Sequence, residues 1–162
     1  MGTGAIQIYY GAGRGKTDAA LGCALRAASE NKTVVVIQFF KGKRDEHMAY
    51  MQRLEPEIRI FRFEKLEENY NEITEEQQAE ERLNMKNGLN FAKKVLVTGE
   101  CSLLILDEVL GLVDAGIITA EDLEAVLQAR TEDTDIIMTG RVLTESVGAC
   151  ADAIYNIVSE KE

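Results

Sequence analysis

The chain has 162 residues, and its 46 % hydrophobic and 28 % charged content is that of an ordinary globular protein. We predict a single domain over residues 1–162. Its 28 acidic residues outnumber 18 basic ones, and the resulting net charge of −10 argues against nucleic acid as a partner. The apolar runs are too short to span a bilayer and no signal-peptide pattern is visible, so we expect a cytoplasmic protein without a membrane partner.

A glycine-rich loop at residues 11–17 is the strongest motif of the chain. It lies between an apolar run at 5–9 and an Ala- and Leu-rich segment at 18–29. Strand, glycine loop and helix in this order form the context that a phosphate-binding loop requires. The standard spacing would place the first glycine at Tyr10, so Gly11 comes one position late. The alternative is a glycine-rich turn with a chance Gly-Lys-Thr sequence.

The residue types of this loop suit a polyphosphate. Glycines at 11, 13 and 15 allow left-handed turns and let several backbone N–H groups point at the anion. Lys16 supplies a positive charge, and the Thr17 hydroxyl can ligate Mg²⁺. The helix that starts here directs the positive end of its dipole at the same anion.

Strand and helix patterns alternate along the chain, which predicts an α/β fold with a mainly parallel sheet of about six strands flanked by helices. Ligands of such sheets bind beyond the carboxyl ends of the strands, where the glycine loop lies. In the longest helix, opened by a capping box at Thr74, we expect an inner face of Leu83, Leu89, Phe91, Val95 and Leu96. The predicted strands are 5–9, 33–40, 57–63, 102–106, 134–139 and 153–158, and the predicted helices are 18–29, 74–98, 120–130 and 143–150.

An acid pair, Asp107 and Glu108, follows the apolar run 103–106. A strand that delivers carboxylates at its carboxyl end provides the second anchor that Mg²⁺ needs beside a glycine loop. Asp107 would take the ion directly or through water, and Glu108 could also ligate it. The alternative is a helix that begins at Glu108 and carries acids at its N-terminus, where the dipole favours them.

Three cysteines, Cys23, Cys101 and Cys150, lie far apart without the spacing of a metal site or a disulfide framework. We interpret them as small buried apolar residues of a protein from a reducing compartment.

The chain resembles the P-loop type of ATP:corrinoid adenosyltransferases, which act on cob(I)alamin or cob(I)yrinic acid a,c-diamide. The loop of that family also reads G-x-G-x-G-K-T, so the late first glycine is a family feature. The Gln-Phe-x-Lys-Gly and Thr-Gly-Arg elements of this chain are not general P-loop features, which makes the resemblance specific. The matching segments are 11–17, 19–22, 24–28, 36–42, 104–108, 139–141 and 151–152.

The resemblance implies a P-loop NTPase-like (RecA-like) core and transfer of the 5′-deoxyadenosyl group of MgATP to a Co(I) corrinoid. Triphosphate would leave, and the product would serve adenosylcobalamin biosynthesis or salvage. A Co(I) nucleophile carries no proton, so no general base is required. The resemblance assigns catalytic roles to Lys16, Glu108 and Arg141. The predicted metal ligands are Thr17, Asp107 and Glu108: the resemblance favours Glu108 for direct contact with the ion, whereas general P-loop chemistry favours Asp107. The implied nucleotide-binding residues are Gly11, Ala12, Gly13, Arg14, Gly15, Lys16, Thr17, Arg26 and Lys41.

On the corrinoid side the chain departs from the family. Relatives often carry an aromatic pair with Trp after the third strand, whereas this chain has no Trp. Phe63, Leu66 and Tyr70 could form an apolar wall that excludes axial water; the alternative is that they are ordinary core and loop residues. Because the segment 63–73 is acidic and poor in apolar groups, we expect it to order only with the corrinoid.

Two further functions stay open. A P-loop kinase or NTPase would share the loop and the acid pair, but it would release ADP. A shortened, non-catalytic paralogue would bind ATP or a corrinoid as a sensor. For the adenosyltransferase we expect a homodimer, with a flavoprotein reductase as the source of Co(I).

Overall fold

The computed structural model describes residues 4–40 and 46–162, which form an α/β fold. None of the described helices combines the length and the apolar character needed to cross a membrane. The strands are β1 Ile6–Tyr10, β2 Val34–Gln38, β3 Ile58–Arg62, β4 Leu103–Asp107, β5 Asp135–Gly140 and β6 Ala153–Asn156. The helices are α1 Lys16–Ser29, α2 Glu46–Met51, α3 Glu75–Thr98, α4 Leu110–Asp114, α5 Ala120–Gln128 and α6 Glu145–Gly148.

The six strands form one sheet in the order β3-β2-β4-β5-β1-β6, and every neighbouring pair is parallel. This confirms the predicted parallel α/β sheet. Because all strands run the same way, their carboxyl ends lie at one edge. β5 separates β1 from β4, so the end of β5 stands between the glycine loop and the acid pair.

Both faces of the sheet are covered, as the apolar sequences of the central strands predict. Successive residues of β2 alternate between the two faces: Val34 and Val36 join the cluster under α1, whereas Val35 and Ile37 join the larger core. The β-branched side chains of β2 suit this doubly buried pleat. Residues of α3, α4 and α5, among them Met85, Leu110 and Leu123, complete the larger core.

Helix starts are where the sequence was most informative. Thr74 and Thr119 each accept a hydrogen bond from the backbone of the third helical residue, and Gln77 and Asp122 reciprocate, which makes two capping boxes. The long helix predicted from Thr74 is thereby confirmed, but one of its expected inner residues is wrong. Leu83 is 60 % exposed.

The position of Leu83 follows from helix geometry. The buried stripe of α3 runs back from Leu89 and Met85 to Glu81, one turn at a time. Leu83 lies two residues from Glu81, which places it about 200° around the helix and toward solvent. A carboxylate therefore occupies the inner position that the apolar pattern alone assigned to leucine.

The cysteines are free, with Cys101 buried and Cys23 and Cys150 half-buried. Burial raises the pKa of the Cys101 thiol to about 11, so this side chain is a neutral thiol at ordinary pH. Burial also raises the pKa of Cys150. The prediction of small buried cysteines is confirmed for Cys101, whereas Cys23 and Cys150 are only half-buried.

Candidate nucleotide-binding site

The glycine loop connects β1, which ends at Tyr10, to α1, which begins at Lys16. Gly11 and Gly15 adopt positive φ angles of 126° and 97°, a conformation in which side chains are disfavoured. Gly13 is needed for a different reason. A Cβ atom on it would lie 2.8 Å from the carbonyl oxygen of Ile157, in the segment after β6.

Two loop amides are used by the protein itself. Gly11 donates to the carbonyl of Gly140 at 3.1 Å, and Gly13 donates to the carbonyl of Ile157 at 2.9 Å. These bonds hold the loop against the ends of β5 and β6. The N–H groups that remain for an anion include those at the start of α1, since the first residues of a helix have no intrahelical acceptor.

The two cations of the loop, Lys16 and Arg14, lie in different surroundings. The Lys16 ammonium donates to the carbonyl of Gly13 at 2.7 Å, so it lies back over the loop. A phosphate in the loop would therefore meet this cation. The Arg14 side chain is 94 % exposed and lies 3.8 Å from the Glu162 carboxylate, a surface pair of little energetic weight.

Asp107 is the centre of a buried polar cluster. Its carboxylate, in a residue only 1 % exposed, accepts from the Thr17 hydroxyl at 2.9 Å and the Thr139 hydroxyl at 2.7 Å, both through Oδ1. The Gln38 amide lies 3.4 Å from the other oxygen, Oδ2. Buried carboxylates need such donors, because burial without them is costly. The cluster thus joins the helix of the glycine loop to β2, β4 and β5.

Glu108 follows with a left-handed backbone, at φ 64°, which is unusual for a residue with a side chain. Its N–H donates to the Thr139 hydroxyl at 2.8 Å, so Thr139 supports both members of the acid pair. α4 begins at Leu110, two residues later. The alternative of a helix that starts at Glu108 is therefore not what the structure shows.

The cationic residues predicted outside the loop are not all brought together. Arg141 is exposed directly after Gly140, whose carbonyl binds the loop, and so lies at the same edge. Arg26 stands in the last turn of α1, about 15 Å along the helix from Lys16. It lines a cavity of about 340 Å³ with Ala5 and Asp135, at the amino ends of the strands, so this chain does not bring Arg26 to its own loop. Lys41 lies outside the described residues.

The three residues predicted as a corrinoid wall separate into two groups. Phe63 packs against Phe91 at 5.5 Å between ring centroids and against Gly88, as an ordinary core residue would. Tyr70 instead meets Phe40 edge-on at 5.7 Å, at the carboxyl end of β2. Leu66 is half-buried between them in the chain, and its carbonyl accepts from Arg62 at 3.0 Å.

That segment 63–73 orders only when a corrinoid binds stays a prediction. Few apolar groups are buried there, but hydrogen bonds hold the segment. The carbonyl of Tyr70 accepts from Gln78 at 2.9 Å, and the backbone N–H groups of Lys65 and Leu66 face the Glu81 carboxylate. A short 3₁₀ turn, Tyr70–Glu72, completes it.

Gln38 and Thr139 lie in the matching segments 36–42 and 139–141, but no contact was predicted for either side chain. A signal was present. Each is a polar residue that follows an apolar run near the carboxyl end of a strand, as Asp107 does. In a parallel sheet such residues meet at one edge. The support of the loop by Ile157 has no comparable signal, because it uses a backbone carbonyl.

Solved structures share the fold. A KaiC-like protein, PH0186 from Pyrococcus horikoshii OT3, superposes with a TM-score of 0.58 over 96 % of this chain and 74 % of its own, at 14 % identity. At that identity the likeness concerns the fold alone, and it agrees with the predicted P-loop NTPase-like, RecA-like core.

Sequence relatives are more specific. The chain is 29 % identical to the uncharacterized protein all2391 of Nostoc sp. PCC 7120, over 93 % of this chain but 42 % of that protein. It is 27 % identical to the corrinoid adenosyltransferase of Escherichia coli K12 and 28 % to the corrinoid adenosyltransferase CobA of Salmonella typhimurium LT2. Each of these two matches covers 95 % of this chain and 76 % of the relative.

A family model matches residues 2–162, nearly the whole chain. The matched range includes the glycine loop, the acid pair and the Thr-Gly-Arg element of this chain, which lie at the carboxyl edge of the sheet. The chain belongs to the family of ATP:corrinoid adenosyltransferases described as BtuR/CobO/CobP.

Proposed function

We propose that this protein transfers the 5′-deoxyadenosyl group of ATP to the cobalt of a Co(I) corrinoid and releases triphosphate. Family membership supports the reaction class. The observation that carries the proposal is the bonded set of Thr17, Asp107 and Thr139 beside Lys16, at the edge where the glycine loop opens. This arrangement presents a cation, a helix N-terminus and oxygen ligands to one polyphosphate.

The residues suit a reaction in which C5′ of the nucleotide is attacked. The cobalt–carbon bond forms from the cobalt electron pair, and the bond from C5′ to the α-phosphate oxygen breaks. The protein must then stabilise the negative charge that develops on triphosphate. Lys16 and the first amides of α1 would do so, together with Arg141 at the same edge of the sheet. No proton is transferred, so no general base is required.

The donor set at Asp107 fits Mg²⁺, which prefers hydroxyl and carboxylate oxygens and few protein ligands. Thr17 and Asp107 share a hydrogen bond of 2.9 Å, so their oxygens lie close enough together to serve one ion. Mg²⁺ bound there would neutralise charge on the leaving triphosphate. This geometry supports Asp107 with Thr17 as the ion-binding pair. Glu108, the residue that the resemblance favoured for direct contact, adds a neighbouring carboxylate.

The remaining parts of the proposal concern the setting of the reaction. They are a cytoplasmic location, a homodimer, a flavoprotein reductase that supplies Co(I), and a role in adenosylcobalamin biosynthesis or salvage. The location rests on the apolar runs and the cysteine pattern of the sequence, and the other parts rest on the family resemblance.

The test is direct. Protein, MgATP and chemically reduced cobalamin are mixed under anaerobic conditions, and the absorption spectrum is followed. We expect an alkylcobalamin spectrum that light destroys, and no such change with Lys16→Ala under the same conditions. A reduced cobalamin spectrum that stays unchanged with the unsubstituted protein would overturn the proposal for this corrinoid, and cob(I)yrinic acid a,c-diamide is then tested in the same way.

A further inference from the structure

A carboxylate is buried on the inner face of α3, far from the acid pair in the chain. Glu81 is only 3 % exposed and occupies the stripe that continues through Met85 and Leu89. Acidic residues are seldom so completely buried unless they are paired or hydrogen-bonded. Its place in the apolar stripe therefore needs an explanation from its partners.

The partners of Glu81 belong mainly to the segment after β3. The backbone N–H of Lys65 donates to Oε1 at 3.1 Å, and that of Leu66 lies 3.4 Å from Oε2. The Asn84 amide, one helical turn away, donates to Oε1 at 2.9 Å. Both carboxylate oxygens are thus acceptors, and hydrogen bonds to a charged acceptor are the strong ones. Glu81 anchors a loop backbone.

Neighbouring residues of α3 hold the same segment further along. The Gln78 amide donates to the Tyr70 carbonyl at 2.9 Å, and the Arg82 guanidinium donates to the Tyr70 hydroxyl at 2.9 Å. Gln78, Glu81 and Arg82 lie within about one turn of the helix. We call these three residues the α3 anchor. They fix residues 65–70 at both ends.

The anchored segment reaches the edge of the nucleotide site through two aromatic rings. Tyr70 packs edge-on against Phe40, and the Phe40 ring lies against Gly111 in α4, just after the acid pair. Phe40 has a left-handed backbone, at φ 58°, and its N–H donates to the Glu64 carboxylate. The preceding N–H, that of Phe39, donates to the carbonyl of Asp107 at 2.9 Å. The ring pair is thus tied to the strand that carries Asp107.

We propose that Glu81 is a positioning residue for the acceptor substrate: through residues 65–70 it fixes the Tyr70–Phe40 ring pair beside the acid pair. This inference rests on the proposed adenosyl transfer. Glu81 touches neither the glycine loop nor Asp107, so it acts on the apolar side of the site and not on the nucleotide. Its substitution should change how the corrinoid is used while leaving ATP binding as it was.

The test uses Glu81→Gln, with Glu80→Gln as its matched control. Glu80 is the adjacent acid on α3 but is exposed, so the same chemical change there removes no buried acceptor. In Glu81→Gln an amide NH₂ replaces one of the two acceptor oxygens, and one of the Lys65 and Leu66 N–H groups then faces a donor. Circular dichroism confirms that each variant is folded.

The first readout is hydrogen exchange of the Lys65 and Leu66 amides in the protein without substrates. In Glu81→Gln at least one of them should exchange faster by about tenfold or more, the change expected when a charge-assisted bond is lost. Amides in the middle of α3 should exchange as in the parent, and Glu80→Gln should change nothing. Unaltered exchange at both loop amides would overturn the anchoring role, whatever reaction the protein catalyses.

The second readout is steady-state transfer from MgATP to Co(I) cobalamin. We expect the KM for cobalamin to rise by about tenfold in Glu81→Gln while the KM for ATP stays within about twofold, since only acceptor contacts are disturbed. Equal changes in both would mean a general structural role and would overturn the proposal. Failure of the proposed function gives a different result, because the parent protein itself would then show no adenosyl transfer.

A second variant keeps the inference testable if Glu81→Gln does not fold. Tyr70→Phe keeps the ring that packs on Phe40 and removes only the hydroxyl that accepts from Arg82. It should raise the KM for cobalamin in the same direction, by less than Glu81→Gln, without altering the KM for ATP. A Tyr70→Phe protein with parental kinetics for both substrates would contradict the positioning of this ring by the α3 anchor.

Discussion

Thr17 and Asp107 are 90 positions apart in the chain, and the Thr17 hydroxyl donates a hydrogen bond of 2.9 Å to Oδ1 of Asp107. This bond joins the first turn of α1 to the end of β4, although β5 lies between β1 and β4 in the sheet. Thr139, at the end of β5, donates to the same oxygen at 2.7 Å and closes the gap. The proposed metal ligands are thus held together before any ion binds.

The double role of Thr139 leads to the first prediction. Thr139→Val keeps the shape of the side chain but removes the donor to Asp107 and the acceptor of the Glu108 N–H. We expect a loss of about 1–3 kcal/mol in the free energy of unfolding, because buried polar groups lose partners. Urea unfolding measures it. Thr139→Ser, which keeps the hydroxyl, is the control, and a Val variant as stable as the Ser variant would refute the account of the cluster.

The second prediction concerns Lys16, which meets the phosphates in the proposed complex. Lys16→Ala should weaken MgATP binding by about ten- to a hundredfold, the equivalent of losing a hydrogen bond to a charged group. The free energy of unfolding should stay within about 0.5 kcal/mol, since the lysine lies on the loop and not in the core. Calorimetric titration measures the affinity.

The matched control for Lys16 is Lys32→Ala. Lys32 is exposed beyond the far end of α1, where it lies 3.3 Å from the Glu30 carboxylate. The Lys32→Ala variant should bind MgATP with the same affinity as the parent. Equal affinities in all three proteins would remove the phosphate-binding role of the loop.

The third prediction separates the two acids by their dependence on magnesium. Asp107→Asn should raise the Mg²⁺ concentration for half-maximal transfer by about tenfold or more, as metal sites respond when a ligand or its support is altered. Glu108→Gln should raise that concentration less, because Asp107 is the acid to which the Thr17 hydroxyl bonds. Activity is measured across a magnesium titration. The reverse order would assign the ion to Glu108, and parental curves for both variants would exclude a metal at this pair.

The fourth prediction compares two glycines at which a methyl group could be added without a clash. A Cβ on Gly15 or on Gly22 would meet nothing within 4 Å. Gly15 has φ 97°, so Gly15→Ala should cost about 1–2 kcal/mol of backbone strain. Gly22 lies inside α1, where Ala is favoured, so Gly22→Ala should stabilise by about 0.5–1 kcal/mol. Thermal unfolding of both variants measures the difference, and changes of the same sign would contradict it.

The helices and strands of the sheet could be predicted well from short stretches of sequence. Capping boxes at Thr74 and Thr119 and the β-branched run in β2 act within a few residues, so each could be predicted from its own segment. The ends of these elements were predicted less accurately: the strand predicted at 33–40 spans Val34–Gln38. The glycine loop and the acid pair could be predicted because their residue types have few other uses in that order.

Contacts between distant segments could not be predicted in the same way. Leu83 was placed inside α3 because an apolar side chain normally outcompetes a carboxylate for the core, yet Glu81 is buried through bonds to backbone N–H groups of another segment. Nothing local in 63–73 indicates those bonds, so they could not be predicted from that segment. Arg26 was assigned to the nucleotide because it lies in the matching segment 24–28. Because α1 is 14 residues long, Arg26 in its last turn lies at the opposite edge of the sheet from the loop.

The central claim is that the nucleotide is attacked at C5′ and not at a phosphorus atom, and the phosphorus product tests it most directly. The protein is incubated with MgATP, with and without chemically reduced cobalamin, and the phosphorus products are identified and quantified by ³¹P NMR. The account predicts triphosphate in equal amount to the alkylcobalamin formed, and only when Co(I) is present. Release of ADP and phosphate at the same rate without the corrinoid would contradict it and assign the protein to the NTPases.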